Sequence, residues 1–133
     1  MIDTLTFDLV TPQATFFSGQ VTMVEAPGTL GDFGVLPGHM PFISTLRAGV
    51  VTVHDGKSSQ SRMFVTGGIA EVNAQSCTIL AEQVVDLGSF SRADAEARLA
   101  KAKETADSTF DDDAKIVAIR EVEMAEALLA SIN

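Results

Sequence analysis

Glycine and proline are confined to the first two thirds of the chain. All ten glycines and all four prolines lie before residue 89, whereas residues 89–133 contain neither and are rich in alanine. Because both residue types interrupt regular structure and favour turns, the first segment must turn often, and the second can form long helices. The distribution predicts two units, residues 1–88 and residues 89–133.

The first unit has the pattern of short β-strands. Apolar residues that alternate with polar ones, or run continuously, cover residues 5–9, 21–26, 50–54, 62–66, 69–73 and 77–82. Asp55-Gly56 favours a hairpin because glycine accepts a positive φ without steric cost. Short strands separated by glycine-rich turns predict an antiparallel β-sandwich or barrel.

The second unit predicts an antiparallel two-helix hairpin. Ser91 and Asp94 have the spacing of a capping box at the start of a first helix. The carboxylates of Asp111 to Asp113 suit the positive end of a second helix. The apolar stripes expected to be buried are Ala95, Leu99, Ala102 and Ala106 in the first helix, and Ala114, Ala118, Val122, Ala125, Leu129 and Ile132 in the second.

Charge and composition exclude several classes of function. The net charge is −9, and only Arg47, Lys57 and Arg62 are basic before residue 91, so a phosphate-binding patch for nucleic acid is not expected. No apolar run approaches the ~20 residues of a membrane span. The acidic start lacks the basic region of a secretory signal, and the single Cys77 predicts a chain without an internal disulfide.

Residues 31–42, GDFGVLPGHMPF, contain three glycines, Asp32 and His39, so we consider whether they form a phosphate-binding loop or a catalytic site. A phosphate-binding loop would end in Gly-Lys-Ser/Thr, but here Gly38 is followed by His39. Asp32 and His39 have no recognisable nucleophile beside them. The sequence also lacks a Cys/His set with zinc spacing, and Asp111 to Asp113 lack the alternation of an EF-hand loop. We therefore expect no catalytic residues and no metal.

Several motifs of the first unit resemble the epsilon subunit of bacterial F-type ATP synthases. The most specific is Gly31-Asp32-Phe33-Gly34-Val35-Leu36-Pro37-Gly38-His39-Met40-Pro41. In the family's order and spacing, the chain also contains Phe16-Phe17-Ser18-Gly19, Leu46-Arg47-Ala48-Gly49, Thr66-Gly67-Gly68-Ile69-Ala70-Glu71-Val72 and Leu80-Ala81-Glu82. The similarity covers residues 3 to 90, and the acidic, alanine-rich helices match the family's layout.

The resemblance implies a flattened antiparallel β-sandwich of about ten strands, followed by the helical hairpin. It implies a non-catalytic rotor subunit of a proton-translocating ATP synthase that links the gamma subunit to the membrane-embedded c-ring, below the alpha/beta catalytic head. Such a subunit couples proton flow to ATP synthesis. The expected location is peripheral, on the cytoplasmic face of the cell inner membrane, through the complex.

The resemblance also implies which residues contact the rotor. They are Gly31, Asp32, Phe33, Pro37, Gly38, His39 and Pro41. Asp32 lies where the family has an acidic residue that faces the polar loops of the c-ring, which usually carry arginine. Complementary charge at that point fixes register more than it supplies affinity.

Some family members bind ATP at the junction of sheet and helix. Arg92 and Ala93 match the family's Ile/Leu-Asp-x-x-Arg-Ala motif, and Glu82 lies near its upstream acid, but Ser89 occupies the position of the Asp. A helix cap accounts for this stretch without a ligand. We therefore expect no cofactor; a nucleotide site, if present, uses Glu82, Arg92 and Ala93.

The resemblance gives the helices a regulatory role, because in the family they fold against the sandwich or extend towards the head and restrain ATP hydrolysis. From residue 115 onward only Lys115 and Arg120 are basic, against three glutamates, so we expect modest inhibition. Burial of a Leu contributes about 1.5–3 kcal/mol and of an Ala far less, so the alanine-rich first helix predicts a weakly attached, mobile hairpin.

Two other classes of function stay open on the sequence. One is a stand-alone ATP-sensing module of sandwich and hairpin, supported by Glu82, Arg92 and Ala93. The other is a small β-sandwich enzyme, supported only by Asp32 and His39. Recovery of gamma, head and c-ring subunits in a pull-down would favour the rotor subunit over both.

Overall fold

The chain forms ten strands and two helices in a computed structural model that describes residues 4–56 and 60–132. The strands are β1 Leu5–Val10, β2 Thr15–Val21, β3 Met23–Gly28, β4 Gly31–Val35, β5 Phe42–Leu46, β6 Gly49–His54, β7 Gln60–Val65, β8 Gly68–Val72, β9 Ser76–Ala81 and β10 Val84–Asp86. The helices are α1 Arg92–Ser108 and α2 Asp112–Ser131. The chain divides into two compact units, Met1–Gly88 and Ser89–Asn133.

The first unit is a β-sandwich built from one continuous sheet. The strand order is β10-β7-β6-β3-β5-β8-β9-β1-β2, and β4 pairs with β3. Strands β3 and β5 share a single pair, Gly28 with Leu46, and this weak seam separates one layer of β10, β7, β6, β3 and β4 from a second layer of β5, β8, β9, β1 and β2. The pairing is antiparallel as predicted, except that β1 and β9 run parallel.

The core lies between the two layers. Leu5, Phe7 and Leu9 are at most 1% exposed, which confirms the alternation predicted for β1. Their partners come from every long strand of both layers and include Val24, Val35, Val51, Val53, Val65, Ala70, Val72, Cys77 and Ile79. Each of these residues points inward, so the alternate residues of the same strands form two outer faces.

Residues 21–26 do not form the single strand that their pattern predicts. Strand β2 ends at Val21 and β3 begins at Met23. Between them, Thr22 bends the chain, because its backbone N–H and its hydroxyl both donate to the carbonyl of His54, at 2.8 and 3.0 Å. The bend allows the chain to leave one layer and enter the other.

The motif at residues 31–41 is only partly the loop that the sequence predicts. Gly31, Asp32 and Phe33 belong to strand β4, which pairs with β3 over five residues. A turn at residues 29 and 30 joins the two strands into a hairpin. The remaining part of the motif connects β4 to β5 and holds Pro37 to Pro41.

The second unit is the predicted helical hairpin. Ser91 and Asp94 form the reciprocal hydrogen bonds of a capping box, and the Asp111 side chain accepts from the N–H of Ala114, so both helix starts are confirmed. Arg98 of α1 donates to Glu121 of α2 at 3.1 Å. The buried residues are Ala95, Ala102, Ala118, Ala125 and Leu128.

The buried stripe of α2 differs in two positions from the prediction. Ala114 is exposed, whereas Leu128, which the prediction left out, is fully buried. Leu129, Val122 and Ile132 are partly buried, as are Leu99 and Ala106 in α1. The centre of the buried face is therefore rotated towards Leu128, since one residue turns a helix by about 100°.

Candidate functional site

The hairpin of β3 and β4 carries the first candidate site. Thr29 and Leu30 form its tip, and Leu30 is fully exposed to solvent. Asp32 follows on β4, opposite Pro27, and 74% of its side chain is exposed. An exposed carboxylate two residues from an exposed leucine gives the tip both a charged and an apolar contact group.

Arg47 holds the hairpin in place. Its Nη2 donates to Oδ1 of Asp32 at 2.5 Å, and its Nη1 donates to the carbonyl of Gly28 at 2.6 Å. Sequence reasoning placed Arg47 in a family motif but gave it no role. Asp32 is therefore exposed as expected, but it is also half of an ion pair within the chain.

The connection from β4 to β5 is a tight turn with a short aromatic row. The Gly38 N–H donates to the carbonyl of Ala74 at 2.8 Å, which ties the turn to the connection between β8 and β9. The His39 ring lies 5.0 Å from the ring of Phe42, and Phe42 lies 5.1 Å from Phe33 in an edge-on arrangement. These contacts orient His39 by packing.

The tautomer of His39 follows from its hydrogen bond. Its Nδ1 lies 2.7 Å from the carbonyl oxygen of Met40, which can only accept, so Nδ1 carries the proton. In the neutral ring, Nε2 is then an acceptor. Among the described residues Asp32 bonds to Arg47 and His39 to Met40, so the structure gives these two side chains separate partners.

The outer face of the layer of β5, β8, β9 and β1 is the second candidate site. Four neighbouring strands place Thr45, Ile69, Leu80 and Val10 directly beside one another. Ile69 is 48% exposed, Leu80 49% and the nearby Ile43 72%. An open depression of about 490 Å³ lies at the end of this row, between Leu46, Gly67, Ile69, Leu80 and Glu82.

The other layer has a different outer face. Its strands β3, β6 and β7 place Glu25, Thr52 and Arg62 in one cross-strand row. Next to that row, His54 Nε2 lies 3.0 Å from Glu25 Oε2. The sandwich thus has a polar, charged row on one side and an apolar row on the other, which sequence alternation alone could not assign to faces.

The residues proposed for nucleotide binding lie in separate units. Glu82 is in the sandwich, where its N–H donates to the carbonyl of Gly67 at 3.1 Å. Arg92 and Ala93 begin α1, and Arg92 pairs with Glu96 at 3.3 Å, one turn further along the same helix. ATP binding by these three residues stays a prediction.

Cys77 is a free cysteine buried in the core of the sandwich. Burial raises the pKa of its thiol to about 12, because a thiolate in the core would lose its hydration. The thiol is thus protonated at neutral pH and unsuited to nucleophilic attack. Residues 4–56 and 60–132 contain no cluster of three His, Cys, Asp or Glu side chains that could hold a metal ion.

The fold defines the class of the protein as a β-sandwich of ten strands followed by a two-helix hairpin, and the charged hairpin tip and the apolar row are exposed surfaces of that sandwich. Neither helix, over the residues described, is long and apolar enough to cross a membrane. Comparison with known proteins gives the family.

The family model for the beta-sandwich domain of the ATP synthase delta/epsilon chain matches residues 4–86. The ATP synthase epsilon chain of Rhodospirillum rubrum is 43% identical over 131 residues, 98% of both chains. That of Paramagnetospirillum magneticum is 42% identical over 132 residues, 99% of both chains. The chain therefore belongs to the ATP synthase epsilon-chain family.

Solved structures share the fold. One chain in a cryo-EM structure of the Euglena gracilis mitochondrial ATP synthase, comprising OSCP, F1 and the c-ring, superposes with a TM-score of 0.81 at 21% identity, over 98% of this chain and 82% of that one. A chain in the central stalk and c-ring of the Tetrahymena thermophila enzyme gives a TM-score of 0.57 at 14% identity, over 94% and 96% of the two chains.

Proposed function

We propose that the chain is a non-catalytic rotor subunit that joins the gamma subunit of the central stalk to the c-ring of a proton-translocating ATP synthase. In this role it transmits rotation and so couples proton flow to ATP synthesis in the alpha/beta head. It is a peripheral protein, on the cytoplasmic face of the inner membrane through the complex. Family membership supports assembly into an ATP synthase complex. The apolar row and the charged hairpin tip support the particular contacts proposed for gamma and the c-ring.

The observation that carries the proposal is the apolar row on the second layer. Ile69, Leu80 and Ile43 are each about half exposed or more, although all three lie within strands of the sheet. Burial of one such side chain contributes about 1.5–3 kcal/mol. Three such side chains on the outer face of the neighbouring strands β5, β8 and β9 therefore form a docking surface for a protein, and we assign it to gamma.

The charged hairpin is assigned to the c-ring. Asp32 and Leu30 are highly exposed at one tip, and a carboxylate there suits the basic side chains of a polar loop. The Gly38 and His39 turn follows directly in sequence and offers Nε2 of His39 as an acceptor. Two contacts of different chemistry on one rigid sandwich would let it bridge two partners.

The helical hairpin is assigned a modest regulatory role. In the last helix the cations Lys115 and Arg120 are outnumbered by Glu121, Glu123 and Glu126. A negatively charged helix is attracted weakly, or repelled, by acidic segments of a catalytic head. We therefore infer that it restrains ATP hydrolysis only slightly.

Reconstitution of an epsilon-depleted complex tests the docking surface. Ile69→Glu should weaken binding to gamma by more than tenfold, because it places a carboxylate in an apolar contact. Thr52→Glu is the matched control: it adds the same charge on the outer face of the other layer, opposite Arg62. Equal binding of wild type and Ile69→Glu would contradict the assignment to gamma.

A further inference from the structure

Arg47 connects two parts of the sandwich that the sheet joins only weakly. It lies between β5 and β6, and the three hydrogen bonds that it donates to described residues all go to the hairpin of β3 and β4. Its backbone N–H donates to Pro27 O at 3.0 Å, its Nη1 to Gly28 O at 2.6 Å and its Nη2 to Asp32 Oδ1 at 2.5 Å. A planar guanidinium held at two points leaves the attached carboxylate little freedom.

The tip is also attached through Thr45, two residues before Arg47 in the chain. Thr29 donates its N–H to the carbonyl of Thr45 at 3.1 Å, and the hydroxyls of Thr29 and Thr45 lie 2.9 Å apart. The backbone of the tip is thus fixed through Thr45 as well as Arg47. The Asp32 side chain, in contrast, is given one bond within the described residues, the bond from Arg47.

We infer that Arg47 is a positioning residue for the contact made by Asp32, and that the partner supplies a cationic side chain that binds the second carboxylate oxygen, Oδ2. This inference rests on the proposed function, in which Asp32 meets a basic group of the rotor. A carboxylate accepts bonds at both oxygens, so one Asp32 can lie between two cations. Arg47 fills Oδ1, and the side chain remains 74% exposed for the partner.

Two effects of Arg47 oppose each other, and their sizes decide the expected result. Its positive charge partly neutralises Asp32, which weakens attraction of a distant cation, but water and salt screen exposed charges strongly. Its bond orients the carboxylate before binding, which removes the entropy cost of ordering that side chain on contact. Because Arg47 is itself anchored on the carbonyl of Gly28, it holds the Asp32 carboxylate in one orientation. We therefore expect the gain from this ordering to exceed the attraction that is lost when Arg47 neutralises Asp32.

The test measures binding of full-length variants to a rotor complex of gamma and the c-ring at physiological salt. Arg47→Gln should bind about fivefold more weakly than wild type, and Asp32→Asn at least as weakly. The double variant should match Asp32→Asn alone, because Arg47 acts through Asp32. Arg120→Gln, which removes the same charge from an exposed position of α2, is the control and should bind like wild type.

Two further variants separate positioning from a merely structural role. Arg47→Lys keeps the charge but cannot bond Gly28 O and Asp32 with one planar group, so it should recover less than half of the loss. The exchanged pair Asp32→Arg with Arg47→Asp restores an internal ion pair but presents a cation to the partner. It should fold normally, with ordered tip amides by hydrogen exchange, and still fail to bind.

Each outcome has one meaning. Wild-type or tighter binding by Arg47→Gln overturns the inference, as does a double variant whose losses add. If Asp32→Asn binds as tightly as wild type, the contact assigned to Asp32 is wrong, and the role of Arg47 falls with it. If Asp32→Asn is weak while Arg47→Gln is not, the proposed contact stands and only the positioning role is refuted.

Discussion

Replacing Gly68 with alanine should destabilise the sandwich more than any other glycine-to-alanine change of similar backbone strain. Gly68 has φ +153, and a Cβ built there would lie 2.2 Å from the carbonyl oxygen of Leu80 and 2.9 Å from Cα of Ala81. Both atoms belong to the backbone of β9, which pairs with β8 over five residues. Relief of the clash must therefore move a core strand.

The stability lost in Gly68→Ala has two contributions, which a control variant can separate. A non-glycine residue at such a φ costs about 1–3 kcal/mol, and overpacking in a fixed environment costs about 1–3 kcal/mol more. Gly31 has φ +138, but no atom lies within 4 Å of its added Cβ. Gly31→Ala should thus lose only the first part, and Gly68→Ala about 2–6 kcal/mol in total.

Urea unfolding of the full-length variants, followed by circular dichroism, measures both losses. A typical domain has only about 5–15 kcal/mol of stability, so Gly68→Ala should leave the sandwich marginal or unfolded at 37 °C. The reasoning is refuted if Gly68→Ala loses no more stability than Gly31→Ala. That result would mean that β8 and β9 separate readily at the point where the apolar row lies.

Three other perturbations have expected outcomes. Asp32→Arg places two arginines together and reverses the contact charge; it should lower proton-driven ATP synthesis several-fold while the chain still folds, and normal synthesis would contradict the c-ring assignment. Truncation after Phe90 should raise ATP hydrolysis by less than about twofold in an ATPase assay of the complex, because the acidic last helix is attracted only weakly by acidic segments of the head. A strong rise would show that the helices inhibit hydrolysis. Burial raises the pKa of Cys77 to about 12, so the unfolded chain loses the thiol proton at a lower pH than the folded chain, and the free energy of unfolding should fall as pH rises above about 9. Cys77→Ala should lack this part of the loss of stability at alkaline pH. Identical pH profiles for the variant and the wild type in urea unfolding would contradict this expectation.

The order of residues along the chain was enough to predict those parts of the fold that depend on residues close together in sequence. Leu5, Phe7 and Leu9 alternate with polar residues over a whole strand, and all three are buried. Ser91 and Asp94 need only their own helix turn to form a cap, and they do. Such features depend on neighbours along the chain, which the sequence states directly.

Features that depend on distant partners were not predictable in the same way. Strand β4 contains two glycines, which disfavour strands, yet it forms because β3 supplies five paired residues. Arg92 and Ala93 match part of a nucleotide-binding motif, and the structure shows that Ser91 caps the helix that they begin, while ATP binding there stays a prediction. The bond between Arg47 and Asp32 spans 15 positions, and it depends on the β3 and β4 hairpin that places Asp32 beside Arg47.

The outer faces show the same limit. In the sequence, Ile43, Ile69 and Leu80 each look like half-buried strand residues. Alternation shows which residues of a strand share a face, but it does not show which face lies on the outside of the sandwich. Only the register of β5, β8 and β9 places the three residues close together on one outer face. Family resemblance drew attention to the motif around Asp32, while the apolar row came from the structure alone.

The parallel pairing of β1 with β9 has a consequence for synthesis on the ribosome. Thr6 pairs with Ser76, and β1 lies between β9 and β2 in the sheet. At about 5–20 residues per second, β1 must wait about 4–14 s for β9 to be made. During that interval the hairpin of β1 and β2 exposes Leu5, Phe7 and Leu9 without the strand that will cover their edge. Folding of the sandwich is therefore a late event in translation, and a nascent chain stalled before residue 76 should be a substrate for chaperones.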